Sequence, residues 1–249
     1  MNTPEEVINS MTLNGLVAKL PDVQLDPKLY GKVKSQMEKI GGKWKGGKTY
    51  GFVFTSDPAS HFAKLRDGEK VNLKQEYQFF PTPDAVADRM AALLKWTEGM
   101  TVLEPSAGQG ALISGVRRWY DRTVHVNCFE LMPENREVLS KMPRVNVLGD
   151  DFLEAPPLFL HDCIIANPPF TNNQDIDHIR KMFEWLRPGG TLVTLASTSW
   201  MHGSQKKQEH FRDLVNTWAS VNEVLPAGTF KEAGTNVETV LLRFPHIPF

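Results

Sequence analysis

A chain of 249 residues, 41% apolar and with a formal charge of -1, fits a globular protein of one large domain, or one domain plus a small appendage. Its two cysteines, Cys128 and Cys163, lie in apolar strand-like runs, which excludes a disulfide framework and leaves reduced core thiols of a cytosolic protein. No Cys/His cluster has zinc spacing, no basic leader with an apolar core opens the chain, and no run is long enough to cross a bilayer, so a cytoplasmic protein without metal or membrane partner is expected.

The near-neutral total hides an asymmetry. Residues 1–75 hold 12 Lys/Arg against 8 Asp/Glu, whereas the remainder has an acidic surplus. Seven of those lysines fall between 28 and 48, with Glu38 the one acid among them. Such a patch is either a solvated face or a contact for a polyanion. In this part "PKLYGKVKSQMEKI" has the pattern of a helix, "GGKWKGGKTYGFVF" of a hairpin with a glycine turn, and "DPASHFAKLRDGE" of a second helix. Residues 1–75 are thus expected to form a small basic α+β module, joined by "NLKQEYQ" to a larger domain, 76–249.

From about residue 85, helices and strands alternate. "DAVADRMAALLKW" has helical period, with Asp84 placed as N-cap. "TVLEPSAG" is a strand entering a glycine turn, "GALISGVRRWY" a helix, "HVNCFEL" a strand and "PENREVLSKM" a helix opened by Pro133. "VNVLGDDF" and "DCIIANPP" are strands. "DIDHIRKMFEWLRPGG" is a helix that glycines would end. "TLVTLAS", the helix "KKQEHFRDLVNTWA", and the strands "VNEVLPAG" and "NVETVLLRF" complete the order. Alternation predicts a doubly wound, mostly parallel sheet. The last two strands have only "TFKEAGT" between them, so the terminal strand should be antiparallel.

Chemistry-bearing residues collect at predicted strand ends. Gly108 and Gly110 stand between a strand and a helix, where a ligand can approach backbone N–H groups. The nicotinamide fingerprint is incomplete, because its third glycine position holds Ile113. Glu130 follows twenty residues after Gly110, placed to bind ribose hydroxyls. Asp151 and Phe152 close the next strand, a polar and an apolar group suited to an adenine ring. Each element alone is compatible with tight turns and packing; in this order they point to a nucleoside ligand. The run "CIIANPPF" stops at two prolines, which cannot continue a paired strand.

The succession Phe80-Pro81-Thr82-Pro83, Glu104-Pro105-Ser106-Ala107-Gly108-Gln109-Gly110, Glu130, Asp151-Phe152 and Asn167-Pro168-Pro169-Phe170 resembles the amino-methylating DNA methyltransferases in their gamma-type order. "FFPTP" and "NPPF…QDIDH" look like the short adenine methyltransferases of phages and prophages. The resemblance spans about residues 77–245. It implies a Rossmann-like class I fold, S-adenosylmethionine as cofactor, and DNA as partner with RNA left open. By resemblance Thr82 would hold the cofactor carboxylate, and the Glu104, Ser106, Gly108 and Gly110 turn its methionine part. Glu130 would bind the ribose, and Asp151 and Phe152 the adenine. Where other subclasses have Asp, this chain has Asn167, as gamma-type enzymes commonly do.

The tetrapeptide has a physical rationale. An exocyclic amine is a poor nucleophile because its lone pair is delocalised into the ring. The Asn167 side-chain oxygen and the Pro168 carbonyl can accept its two hydrogens and stabilise the positive charge that develops on nitrogen. The prolines, Pro168 and Pro169, fix both acceptors in advance. Phe170 offers a face for the base; such stacking contributes roughly 1–3 kcal/mol, comparable with the few kcal/mol that base flipping costs. Cytosine C5 chemistry needs a thiolate in a Pro-Cys turn, which neither Cys128 nor Cys163 occupies.

Phe230 is a candidate second wall for the base, or a loop aromatic packed on the sheet edge. Lys43, Trp44, Lys45 and Lys48 are candidate nucleic-acid contacts. His161, His178 and His202 are surface or packing residues, and Trp200 and Met201 a candidate lining of the substrate mouth. The elements after Phe170 are consumed in finishing the sheet, so adenine-N6 methylation with short or relaxed sequence preference is expected. The tetrapeptide also occurs in RNA and protein-glutamine methyltransferases, which are the alternatives. Oligomeric state is open.

Overall fold

The computed structural model describes residues 1–54, 57–73, 77 and 80–245. The chain divides into two compact units, Met1–Phe79 and Phe80–Phe249. Most of the connector expected at 72–78 lies outside the described residues.

The first unit begins with helix α1, Pro4–Ser10. The Thr3 hydroxyl caps it by accepting from Glu6 N at 3.2 Å. Strands β1, Thr12–Asn14, and β2, Val17–Lys19, follow. Helix α2, Pro27–Lys39, is capped by the Asp26 carboxylate, which accepts from the backbone of Lys28 and Leu29. Strands β3, Lys43–Lys45, and β4, Gly51–Val53, form the expected hairpin, and helix α3 spans Ala59–Arg66. The four strands make one antiparallel sheet in the order β1-β2-β4-β3. Val7, Ile8, Val33, Met37, Phe52 and Phe62 are its buried core. Helix α1 and the β1–β2 pair were not anticipated. Three-residue strands carry too short an alternation to show a period.

The second unit is the doubly wound sheet. Helix α4, Asp84–Leu93, leads into β5, Val102–Glu104, α5, Ala111–Trp119, β6, Val126–Phe129, α6, Pro133–Ser140, and β7, Val145–Gly149. Then come β8, His161–Ala166, α7, Gln174–Trp185, β9, Leu186–Ser197, the single turn α8, Ser199–His202, and α9, Lys206–Trp218. Strands β10, Val221–Leu225, and β11, Thr239–Pro245, finish it. The strand order is β10-β11-β9-β8-β5-β6-β7, parallel from β9 to β7 and antiparallel at β11.

Both faces of the sheet are covered, which explains its near-continuous apolar strands. Val102, Cys163, Ile165 and Val193 face one core with Met90 of α4 and Ile113 and Val116 of α5. Leu103, Ile164, Ala166 and Leu192 face the other, with Ile179 and Met182 of α7 and Phe211 of α9. Neighbours in sequence alternate between cores, as the period of two requires. Burial raises the pKa of the Cys163 thiol to about 12 and that of Cys128 further, so both stay protonated packing groups.

Two local expectations are corrected. Asp84 is the first helical residue, not the cap; Pro83 precedes it, and the Asp84 carboxylate pairs with Arg118 at 3.0 Å. Helix α7 ends where Leu186 turns extended, and Gly189 and Gly190 lie within β9, beside a register shift in its pairing with β8.

Candidate active site

The chain reverses its direction of winding between β5 and β8, which lie side by side at the centre of the sheet. At such a point the loops leaving the two carboxyl ends diverge and open a crevice. Glu104 is the last residue of β5 and Ala166 the last of β8. The glycine turn and Asn167 therefore leave the sheet from neighbouring strands.

Beyond Glu104 the chain makes a tight turn. Gly108 and Gly110 have φ of +55° and +82°. A Cβ on Gly110 would also stand 2.7 Å from Met142 Sδ, so the position needs glycine twice over. Ala107 N donates to Phe129 O at 3.0 Å, tying the turn to the end of β6. Glu130 extends the tie. Its Oε2 accepts from Gly108 N at 2.7 Å, and its Oε1 from Met132 N at 2.8 Å and Asn135 Nδ2 at 3.2 Å.

The electrostatics are those of a buried acidic pair. Glu104 is 2% exposed, and burial, then the charge of Glu130, lifts its pKa well above the usual carboxylate range. Burial also raises Glu130, against the pull of the backbone donors at Met132 and Gly108. Among the described residues Glu104 Oε2 and Ser106 Oγ are buried without a hydrogen-bond partner. Native interiors rarely leave such atoms unpaired. A buried carboxyl oxygen and a hydroxyl two residues apart, both unpaired, fit a ligand that carries donors, such as an ammonium group.

At the next strand end, Asp151 Oδ1 accepts from Leu153 N at 2.9 Å, which fixes that side chain across the turn. Phe152 departs from expectation. Only 2% exposed, it is packed among Phe129, Trp185 and His178 at ring distances of 5.4 to 6.0 Å, so its ring is a core element with no open face.

Asn167 is half-buried, Pro168 buried, and Pro169 and Phe170 half-buried. The Asn167 amide donates from Nδ2 to Thr82 Oγ1 at 3.1 Å and to Phe80 O at 3.4 Å. Thr82, expected as a cofactor contact, is thus a partner of Asn167. Phe170 packs against the core cluster that contains Phe230. Phe230 is itself 2% exposed, so it packs as a core residue and does not present an open wall.

Several residues that the sequence did not single out shape this corner. Asn172 and Asn173 have φ of +56° and +58°, a left-handed pair in the turn that follows Phe170. Asn173 Oδ1 accepts from Ser199 Oγ and from Gln208 Nε2, both at 3.1 Å, and its Nδ2 donates to Gln205 Oε1 at 3.1 Å. Asp175 is wholly buried, and its Oδ2 accepts from Ser197 N at 2.7 Å, joining the start of α7 to the end of β9. The one legible signal was the Asn-Asn pair, since asparagine tolerates the left-handed region. Trp200, expected at a substrate mouth, is buried against Phe211. His161 is a packing residue beside Trp185, paired with Asn127 and lowered by burial to a pKa of about 4.

In the first unit Lys43, Lys45 and Lys48 are exposed on the β3–β4 hairpin. Trp44 stands edge-on to Tyr30, Tyr50 and Phe52, with ring distances of 5.1 to 6.0 Å, and Tyr50 is 66% exposed. Among the described residues no group of three or more His, Cys, Asp or Glu could hold a metal, and no helix is long and apolar enough to cross a membrane.

No protein-family model matches the chain, and no curated protein matches it. Its fold is similar to solved structures. The methyltransferase subunit of a type I restriction-modification system from Streptococcus thermophilus matches with a TM-score of 0.59 at 15% identity, over 71% of this chain and 47% of that one. A proposed class I S-adenosylmethionine-dependent methyltransferase from Listeria monocytogenes matches at 0.55 and 13% identity, over 77% of this chain and 67% of the other. The 23S rRNA methyltransferase ErmE matches at 0.51 and 19% identity, over 68% and 70%. This chain spans less than half the length of the type I subunit. The second unit has the Rossmann-like fold of class I methyltransferases.

Proposed function

We propose that the protein transfers a methyl group from S-adenosylmethionine to the N6 amine of a flipped-out adenine in DNA. The observation that carries this is the exit of Asn167-Pro168-Pro169-Phe170 from β8 directly beside the Glu104 turn of β5, so that the tetrapeptide and the glycine turn share one switch point. Bound S-adenosylmethionine supplies an electrophilic methyl group. Glu104 and Ser106 meet its cationic amino-acid end, and the backbone of Gly108 and Gly110 lines the approach. Glu130 and Asp151 meet the ribose and the adenine amine. Asn167 Oδ1 and the Pro168 carbonyl would accept the two N–H groups of the target amine, localise its lone pair and stabilise the positive charge that develops on its nitrogen, which then loses one of those protons to solvent. Phe170 stacks on the base, which offsets part of the cost of flipping.

The first unit docks the nucleic acid in this proposal. Lys43, Lys45 and Lys48 meet phosphates, and Trp44 with Tyr50 meets sugar or base. The likenesses include a methyltransferase subunit named for a restriction-modification system and an enzyme named for 23S rRNA, so RNA is the competing substrate. Tritiated S-adenosylmethionine should be offered in parallel with DNA, RNA and a release factor. Label recovered as N6-methyladenine from DNA is the expected result. Label confined to RNA or to glutamine would replace the DNA assignment.

A further inference from the structure

The Asn167 carboxamide has two ends that look alike in shape and act in opposite ways. Its oxygen accepts from an amine, whereas its NH2 would meet the N–H groups of an amine donor to donor. Which end faces the crevice is therefore a condition of the chemistry. The neighbours decide it. Phe80 O is a backbone carbonyl and can only accept, so the group facing it must be the NH2. Thr82 Oγ1, buried at 7% exposed, receives the same nitrogen at 3.1 Å. With Nδ2 committed to both, Oδ1 is turned away from the 80–82 segment.

We infer that Thr82 is a positioning residue: with the Phe80 carbonyl, the acceptor-only partner that favours an amide over a carboxylate at 167, it fixes the orientation of the Asn167 amide. The inference rests on the methyl-transfer assignment only for its consequence, not for its geometry. A carboxylate at 167 would place an oxygen against the lone pairs of Phe80 O, which can only accept; the Thr82 hydroxyl could turn its proton to a carboxylate, so the preference for an amide comes from the Phe80 carbonyl. The segment that the sequence marked as cofactor-binding thus acts through the catalytic side chain.

The test uses the full chain with 15N-labelled asparagine. The Asn167 side-chain NH2 pair is assigned by its loss in Asn167→Ala, then followed in Thr82→Val and Thr82→Ser. Thr82→Val, near-isosteric but without the acceptor, should shift that pair and speed its exchange with solvent. Thr82→Ser should leave it close to wild type. At saturating S-adenosylmethionine the single-turnover rate should fall at least tenfold in Thr82→Val and return to within threefold in Thr82→Ser, with cofactor Kd within threefold throughout. If Thr82→Val does not fold, Thr82→Ala carries the same readouts. An unchanged Asn167 pair overturns the inference. So does a raised cofactor Kd with the saturated rate retained, which would make Thr82 a plain cofactor contact. If the wild-type chain methylates none of the substrates, the functional assignment fails, while the amide resonances still decide the positioning.

Discussion

Gly108 donates its backbone N–H to Glu130 Oε2 at 2.7 Å, so the glycine turn is held from below by the side chain expected to bind a ribose. An ionised carboxylate has about four acceptor directions, and Gly108, Met132 and Asn135 use three of them. Room remains for one hydroxyl. Glu130→Ala removes the support as well as that contact, and it strands two backbone donors at about 1–3 kcal/mol each. We expect a loss of roughly 2–6 kcal/mol in urea unfolding and at least a tenfold rise in S-adenosylmethionine Kd by calorimetry. A full-strength cofactor site in a folded Glu130→Ala protein would show that the turn holds itself.

Glu104 yields a pH prediction. Its carboxyl pKa is raised in the folded state, first by burial and then by Glu130. The native protein therefore binds a proton that the unfolded chain releases near 4.5, and stability must fall as pH rises above that value. The fall ends once pH passes the folded-state pKa. Glu104→Gln should flatten this slope, so the stability difference between the two proteins changes with pH in favour of the glutamine. A cation bound beside Glu104 reverses the sense, and cofactor affinity should tighten as pH rises through the same window. Unfolding curves at pH 5 to 8 for both proteins, without cofactor, decide it; parallel curves would rule it out.

Asn173 anchors the turn after Phe170 through Ser199, Gln205 and Gln208. Asn173→Ala places an unfavourable residue at positive φ and removes these bonds, at a cost of about 1–3 kcal/mol. Because the loss is next to Phe170, the ring proposed to stack on the base, the substrate KM should rise more than kcat falls. Asn172 is exposed with the same backbone conformation, so Asn172→Gly should be neutral or slightly stabilising. Equal damage from both substitutions would show that the turn matters only as backbone.

The order of strands and helices was legible because the central strands β5, β8, β9 and β11 are covered on both faces and appear as apolar runs, while the edge strands β7 and β10 are only partly buried. The antiparallel end was read from a seven-residue connection; the observed one is longer, 226–238, but holds only a 3-10 turn, Lys231–Ala233, and no crossover helix. The residues at the strand ends were legible too, since Gly108, Gly110, Glu130 and Asn167 stand where apolar runs stop. What could not be read is what these side chains touch. Thr82 and Asn167 are 85 positions apart, and nothing local couples them. Phe152 and Phe230 carry the same signal whether they stack on a ligand or fill a core. Asp175 and Gln208 belong to polar contacts between α7, β9 and α9, which exist only after the sheet has formed.

The hairpin lysines give a salt-dependent prediction. Lys43, Lys45 and Lys48 are exposed, with Trp44 packed between Tyr30, Tyr50 and Phe52 at their base. Each phosphate contact on duplex DNA contributes about 0.9 to the slope of log affinity against log salt. Replacing all three by glutamine should lower that slope by roughly 2–3 and weaken binding evenly across sequences. Tyr50→Ala should weaken binding without changing the slope. If the triple variant binds as tightly and with the same slope, the patch is a solvated face, and docking must be sought elsewhere on the chain.

The last prediction concerns sequence preference. Base-edge readout needs side chains held in the major groove by a supported element. Within the second unit, every described element from α7 to β11 is a strand of the sheet, a helix or a short turn at a strand end. The Trp200 turn buries its indole in the core, and the longer connection between β10 and β11, 226–238, buries Phe230 and carries Lys231 as its one cation. In the first unit the exposed cations of the hairpin are lysines, on the three-residue edge strand β3 and its turn; the exposed lysines elsewhere lie outside that hairpin, and the exposed Arg66 of α3 donates to Met11 O. Lysine ammonium groups suit phosphates as point charges and lack the planar fork with which arginine addresses a guanine edge. Discrimination should then come from the fit of the flipped base to the corner formed by Asn167, Pro168 and Phe170, which selects adenine and is indifferent to most flanking bases. Expression in a host without adenine methylation, followed by single-molecule sequencing, should reveal N6-methyladenine spread over many contexts, each only partly modified. Full modification of one long motif, with neighbouring adenines untouched, would mean that a base-reading element operates and that the lysine hairpin is not the whole of the docking surface.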